Sequence, residues 1–192
     1  MVENRADIGS FAQRTGDTAL HLQCKKKKIS IDSIRCLIEN KSTMNVRNIE
    51  FLTPLHCACL NEQTNLELIK LLVESNACIY TPKENQLFLP IHLLAQSVNP
   101  KLDVFDYFLS LGCSINLIDS FFNTSFHYIC SKFSNLVKFF IDNKTDLNFK
   151  NKNGETPLMR LCKTKQFNLN FHLIIFRFSS LSIRFNKATH RK

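Results

Sequence analysis

The sequence predicts an α-helical repeat solenoid, a stack of similar short units, rather than a domain built round a single core. Three observations carry that expectation. A four-residue phrase recurs at Thr18-Ala19-Leu20-His21, Thr53-Pro54-Leu55-His56, Leu89-Pro90-Ile91-His92, Thr124-Ser125-Phe126-His127 and Thr156-Pro157-Leu158-Met159, at intervals of 35, 36, 35 and 32 residues. A second phrase keeps step with it, centred on Asn45, Tyr80, Asn116 and Asn148, which lie 8, 9, 8 and 8 residues before the next start. A small residue recurs three places after the His position, as Cys24, Cys59, Ala95, Cys130 and Cys162. Self-similarity at this period marks units that cannot bury their apolar faces alone and must stack on their neighbours.

Each phrase reads as the start of a helix. Thr caps by accepting a backbone N–H, and Pro at the next position sits where the first turn needs no donor. Leu20, Leu55, Ile91, Phe126 and Leu158 then face the neighbouring unit, and the small residue lets the first helices pack closely. Second helices carry the apolar pairs Leu37-Ile38, Leu71-Leu72, Phe108-Leu109 and Phe140-Ile141. From the start of a unit to its second phrase takes 27 residues in the first three units and 24 in the fourth. The extra length falls between the paired helices, at 25–31, 61–65 and 97–101, so these three turns are expected to protrude together on one side.

Four stretches resemble the ankyrin repeat: Gly16-Asp17-Thr18-Ala19-Leu20-His21, Thr53-Pro54-Leu55-His56-Cys57-Ala58, Gly112-Cys113-Ser114-Ile115-Asn116 and Asn153-Gly154-Glu155-Thr156-Pro157-Leu158. The resemblance covers roughly residues 6–165 and implies an all-α ankyrin-repeat solenoid of stacked helix-turn-helix units with β-turn fingers. It divides the chain into 1–15, the tail of a preceding repeat, an array over 16–165 with starts near 18, 53, 89, 124 and 156, and 166–192, an irregular basic tail read as non-native sequence or a degenerate last helix. The family's turn glycine, two residues before each start, is present as Gly16 and Gly154 but replaced by Phe51, Leu87 and Phe122. Those three turns must reach a tight bend without glycine or adopt another one. Both ends read as cut, so the chain is expected to be a segment of a longer ankyrin protein.

Composition narrows the function classes. The 192 residues are 44% hydrophobic and 21% charged, enough apolar side chain for a core and far from a disordered composition. No apolar run approaches the length of a membrane span. The net charge of +9 is unevenly distributed. Residues 156–192 hold eight basic and no acidic side chains, leaving 17 basic against 16 acidic in 1–155; without Lys25–Lys28 that body stands at −3. The basic character lies in one patch and one tail, so no nucleic-acid partner is expected, although the patch resembles half of a nuclear import signal. Eight cysteines without a CxxC pair or a secretory leader predict reduced thiols and a cytoplasmic location, with the nucleus as the alternative.

Constellations that might suggest chemistry are weak. His21/Cys24, His56/Cys59 and His127/Cys130 have helix spacing suited to a metal, yet each offers two ligands where a structural zinc site needs four. His56 and Cys57 point about 100° apart on a helix, a poor base and nucleophile, and no Gly-rich phosphate loop exists. No catalytic residue, metal or cofactor is expected. The resemblance implies that the His ties each turn to adjacent backbone, and that partners lie against the finger tips and the ends of the first helices. By register the partner-binding residues are Ile49, Glu50 and Leu52; Asn85, Gln86 and Phe88; Ser120, Phe121 and Asn123; Lys152 and Asn153; and, on the first helices, Asn61, Gln96 and Lys132. Ile49, Leu52, Phe88 and Phe121 are expected to form one apolar patch of the kind that marks a protein interface. The implied function is a non-catalytic scaffold or adaptor that binds a partner protein. The alternative is the regulatory segment of a larger signalling enzyme, such as a kinase, GTPase regulator or ubiquitin ligase.

Overall fold

A computed structural model describes residues 9–83, 88–133 and 136–163. Among the described residues nine helices follow one another: α1 (Ala19–Lys25), α2 (Ile31–Glu39), α3 (Pro54–Leu60), α4 (Leu66–Glu74), α5 (Pro90–Gln96), α6 (Leu102–Ser110), α7 (Ser125–Lys132), α8 (Val137–Asp142) and α9 (Pro157–Cys162). The odd-numbered helices pack side by side along the array, α1 on α3, α3 on α5, α5 on α7 and α7 on α9. Even-numbered helices form an outer row, in which α4 meets α6. Strands are absent among the described residues; three isolated bridges, Phe11 to Thr18, Lys83 to Phe88 and Ile118 to Thr124, close the turns between units. The fold is the expected all-α ankyrin-repeat stack.

Helix starts sit where the phrase places them. Thr18, Thr53 and Thr156 accept from the backbone N–H three residues on, at 3.5, 3.4 and 3.3 Å. Asn65 and Ser30 cap the outer helices in the same way. The longer turns between paired helices occupy 26–30, 61–65 and 97–101, as the spacing requires, and they lie side by side. Asn61 Nδ2 donates to the Lys26 carbonyl at 2.8 Å and Asn99 Nδ2 to the Glu62 carbonyl at 3.4 Å.

Outer helices all end alike. Lys41, Asn76, Gly112 and Lys144 adopt left-handed backbone at φ 64°, 71°, 83° and 56°. The next residue in each case, Ser42, Ala77, Cys113 or Thr145, donates back to Leu37, Leu72, Phe108 or Phe140. These are Schellman closures, which satisfy the last carbonyls of a helix.

Burial follows the repeat phase with one drift at the end. Leu20, Leu55 and Phe126 are fully buried, Ile91 nearly so, and Cys24, Cys59, Ala95 and Cys130 are inaccessible beside them. In the last unit Leu158 is only half-buried and Cys162 is exposed, against expectation. No described helix packs beyond α9 to cover them. In α2 the core residue is Ile34, while the expected pair Leu37-Ile38 is half-buried at its edge. Phe105, Phe126 and Phe140 form a buried aromatic cluster, with ring centroids 5.1 and 5.4 Å apart through Phe140. The basic tail at 166–192, with Leu87 and residues 1–8, lies outside the described residues.

Candidate binding surface

The fingers are built by a device that the phrase itself does not announce. Five residues before the start, Asn48, Asp119 and Asn151 each use one side-chain oxygen to accept two backbone N–H groups. Asn48 takes Glu50 and Leu52 at 3.0 Å each, Asp119 takes Phe121 at 2.7 Å and Asn123 at 2.9 Å, and Asn151 takes Asn153 and Glu155 at 3.0 Å each. Such a side-chain turn fixes a short loop without a sheet. The constant offset of Asn, Asp and Asn was readable in the sequence and was missed.

At the four described positions two residues before a start, the chain takes left-handed backbone with glycine or phenylalanine alike. Gly16 and Gly154 have φ 65° and 71°, and Phe51 and Phe122 have φ 59° each. The bend is therefore kept without glycine, at a strain of order 1 kcal/mol or more per residue. Gly16 has a second reason. A Cβ there would meet Ile49 N at 3.0 Å, because Ile49 donates its N–H to the Thr15 carbonyl at 3.1 Å. At the other end Lys152 N–H donates to the Phe121 carbonyl at 3.0 Å. The first finger is thus tied to the second, and the fourth to the fifth, backbone to backbone.

Histidine ties the second, fourth and fifth fingers to the unit before them. His21, His56, His92 and His127 are fully buried, and each Nδ1 accepts the N–H of its own capping residue at 3.1–3.2 Å. Nε2 then donates across to the next unit, to Leu52 and Leu117 carbonyls at 2.9 Å and to Glu155 at 3.2 Å from His21, His92 and His127. His56 Nε2, directed towards the Phe88 and Thr81 carbonyls, closes no such bond. Burial holds all four rings below the ordinary imidazole range, His56 down to about 4 with Arg47 and Lys83 adding to the effect. These are neutral structural histidines. Burial also keeps the thiols of Cys24, Cys59 and Cys130 protonated and pushes Cys57 up to about 12. Among the described residues no three His, Cys, Asp or Glu side chains converge on a metal position.

The expected apolar patch needs correction. Leu52 and Phe88 are 4% and 9% exposed, and Asn123 is buried. Leu52 and Asn123 follow a left-handed residue and turn back into the stack, and Phe88 is buried as well. Phe88 there lies against Phe121 and Tyr128, with centroids 6.4 and 5.9 Å away. Asn123 accepts from Asn151 at 2.9 Å and Arg160 at 3.1 Å and donates to the Tyr128 hydroxyl at 3.1 Å, while that hydroxyl donates to Asp119. Asp17, in the same register, is buried against Lys25 at 2.8 Å and Asn48 at 2.7 Å.

Other expected residues do reach the surface. Ile49 is 63% and Phe121 49% exposed, Glu50, Lys152 and Asn153 are exposed, and Ser120 is half-buried. Asn85 and Gln86 lie outside the described residues. Sequence reasoning overlooked Phe51 and Phe122, whose left-handed backbone turns their rings outward; Lys152 Nζ sits 5.3 Å above the Phe122 ring. On the first helices, Asn61 and Lys132 spend their polar ends on the previous unit. Asn61 Nδ2 bonds the Cys24 carbonyl at 2.8 Å, and Lys132 Nζ bonds that of Gln96 at 3.2 Å. Between the second finger and α3 a cleft of about 310 Å³ brings Glu50, Leu52 and Asn61 together with Lys25, Lys27 and Cys57.

Comparison with known proteins agrees with this geometry. A family model for ankyrin repeats (3 copies) matches residues 1–83 and 91–175. An ankyrin repeat protein of fowlpox virus (strain NVSL) is 34% identical over 105 residues, which is 54% of this chain and 17% of that relative. No described helix is long and apolar enough to cross a membrane. With the repeat phase, the laced fingers and the family match in agreement, the chain belongs to the ankyrin repeat family.

Proposed function

We propose that the chain is a non-catalytic protein-interaction module, a scaffold or adaptor, that engages a partner protein through its finger tips and the adjoining inner-helix face. Ankyrin repeats are generally protein-interaction modules. One observation supports this reading most. Fingers fixed by side-chain turns and tied to one another present Ile49, Phe51, Phe121 and Phe122 to solvent, although nothing in the stack needs those side chains exposed. Exposed apolar and aromatic side chains on a rigid frame lose little entropy on binding, which is how interface anchors contribute. Glu50, Lys152 and Asn153 form the polar rim of the same surface.

A double variant tests it. Ile49→Ser with Phe121→Ser is expected to leave the helical circular-dichroism signal and denaturant midpoint nearly unchanged, while capture of the native partner falls at least tenfold. Undiminished capture with intact folding would place the partner elsewhere. Leu52 is the wrong residue for this purpose, since its side chain is part of the core.

A further inference from the structure

Charge on this array is sorted between its two faces. The outer helices α2, α4, α6 and α8 carry seven acidic side chains, Asp32, Glu39, Glu67, Glu74, Asp103, Asp106 and Asp142, against the basic Arg35, Lys70 and Lys138. On the described fingers the exposed charge is mostly basic, since Asp17 and Asp119 are buried. Arg47, Lys83 and Lys150 share one register position, six residues before the starts at Thr53, Leu89 and Thr156. Arg14 and Lys152 stand at the tips of the first and last fingers. Four of these five are exposed and Lys83 is half-buried.

None of the five has an acidic partner among the described residues. The ion pairs there engage Lys25, Lys138, Arg160 and Lys163 instead. Acidic groups on the described fingers are already used: Asp17 by Lys25 and Asn48, Asp119 by its turn and Tyr128, Glu155 by Lys163 and Arg160. Glu50 alone is left at the surface, 3.9 Å from Lys25. The unpaired cations therefore run along the same edge as Phe11, Ile49, Phe51, Phe121 and Phe122.

We propose that the finger edge takes an extended, acidic segment of a partner protein in which carboxylates alternate with apolar or aromatic side chains. The inference rests on the interaction-module reading above and names the partner's chemistry. Packed inner helices stand about 8–10 Å apart, so five fingers extend over some 40 Å, the reach of about 12 extended residues. Cations on the first, second, third and fifth fingers match carboxylates set at multiples of three residues. They do not match nucleic acid, whose duplex offers a phosphate charge about every 1.7 Å.

Fluorescence anisotropy on the full chain tests this with defined probes. One is a labelled peptide of about 14 residues with Glu at every third position and Leu or Phe between. The others are the same peptide with Lys for Glu, one with Gln for Glu, and a single-stranded oligonucleotide of equal charge. The acidic peptide is expected to bind at least tenfold tighter than the Gln and Lys forms, and to weaken several-fold from about 50 to about 500 mM salt. Arg47→Glu with Lys150→Glu should reverse the preference towards the Lys peptide, and Glu67→Lys on the outer row should change nothing. Equal binding of all peptides, or no effect of the finger reversal in a folded variant, would overturn the proposal. Tighter binding of the oligonucleotide would assign the edge to nucleic acid, and concentration-dependent sedimentation without peptide would assign it to a second copy of this chain. The outcome is separable from the parent reading. Loss of partner capture in the Ile49/Phe121 variant with no acidic preference leaves the interaction module standing and removes only this chemistry.

Discussion

Phe126→Ala is expected to lower the stability of the array by about 3–5 kcal/mol, the range for removing a buried aromatic side chain. Its ring stacks on Phe140 at 5.4 Å and 15°, and Phe140 meets Phe105 of the preceding unit at 5.1 Å, so the cavity would open where two units meet. Rings tied into neighbouring packing relax little, which places the effect at the upper end. Leu55→Ala, equally buried, should cost about 2–5 kcal/mol. Lys26→Ala, exposed in the first helix-helix turn, should stay within about 0.5 kcal/mol. Asn151 has the look of a surface loop residue by sequence, but the structure makes it the turn residue of the last finger. Its replacement by Ala should cost about 1–3 kcal/mol, because the Asn153 and Glu155 N–H groups and Asn123 lose their partner. Urea midpoints of the four variants decide the order; equal shifts would mean that the register is wrong.

Acid is expected to loosen the stack from the histidines outward. Each of the four rings is buried and neutral, with Nδ1 accepting a backbone N–H, and the folded chain holds each below its unfolded value near 6.5. The unfolded chain therefore binds more protons once pH falls below about 6.5, so stability is complete above that point and declines beneath it. For His56 the decline continues to about 4 and then levels, an effect of about 3 kcal/mol from this side chain alone. His56 is also the ring without an Nε2 acceptor, and Arg47 and Lys83 face it, so an added charge there finds no compensation. His92 has a different weakness, since its capping residue is Leu89 and no hydroxyl is at hand to accept from a protonated Nδ1. Asp17 works against acid as well. Burial pulls its carboxyl up, but Asn48 and Lys25 together leave it below the ordinary value, so its contribution disappears only under about pH 4. Denaturant midpoints at pH 7.5, 5.5 and 4.5 should fall steadily, and His56→Gln should flatten part of the slope. A midpoint independent of pH across that range would contradict the neutral-histidine ladder.

Much of this arrangement could be read from the residues. The Thr-Pro-Leu-His phase located every inner helix start, because capping and first-turn preferences are local and act within four residues. Counting alone placed long turns at 25–31, 61–65 and 97–101, and the structure has them at 26–30, 61–65 and 97–101. The finger surface was legible only in part. Register said that Leu52, Phe88 and Asn123 belong to fingers, but not that left-handed Phe51 and Phe122 turn Leu52 and Asn123 inward, nor that Phe88 is buried. The expected pattern was inverted: Leu52 and Phe88 went into the core, and Phe51 and Phe122, counted only as missing glycines, came out. Asn61 and Lys132 failed as free contact residues for another reason. Their hydrogen-bond partners are carbonyls of the previous unit, about 36 residues away, and no local pattern reveals a bond of that kind.

The central claim is that partners meet the finger edge and not the outer helices, and site-specific photo-crosslinking measures it most directly. A photoreactive side chain is placed in turn at Ile49, Phe121, Glu67 and Asp106, two on the fingers and two on the outer row, and each folded variant is irradiated with its native partner. Adducts from positions 49 and 121, and none from 67 and 106, are the predicted result. Adducts from 67 and 106 with none from the fingers would contradict it.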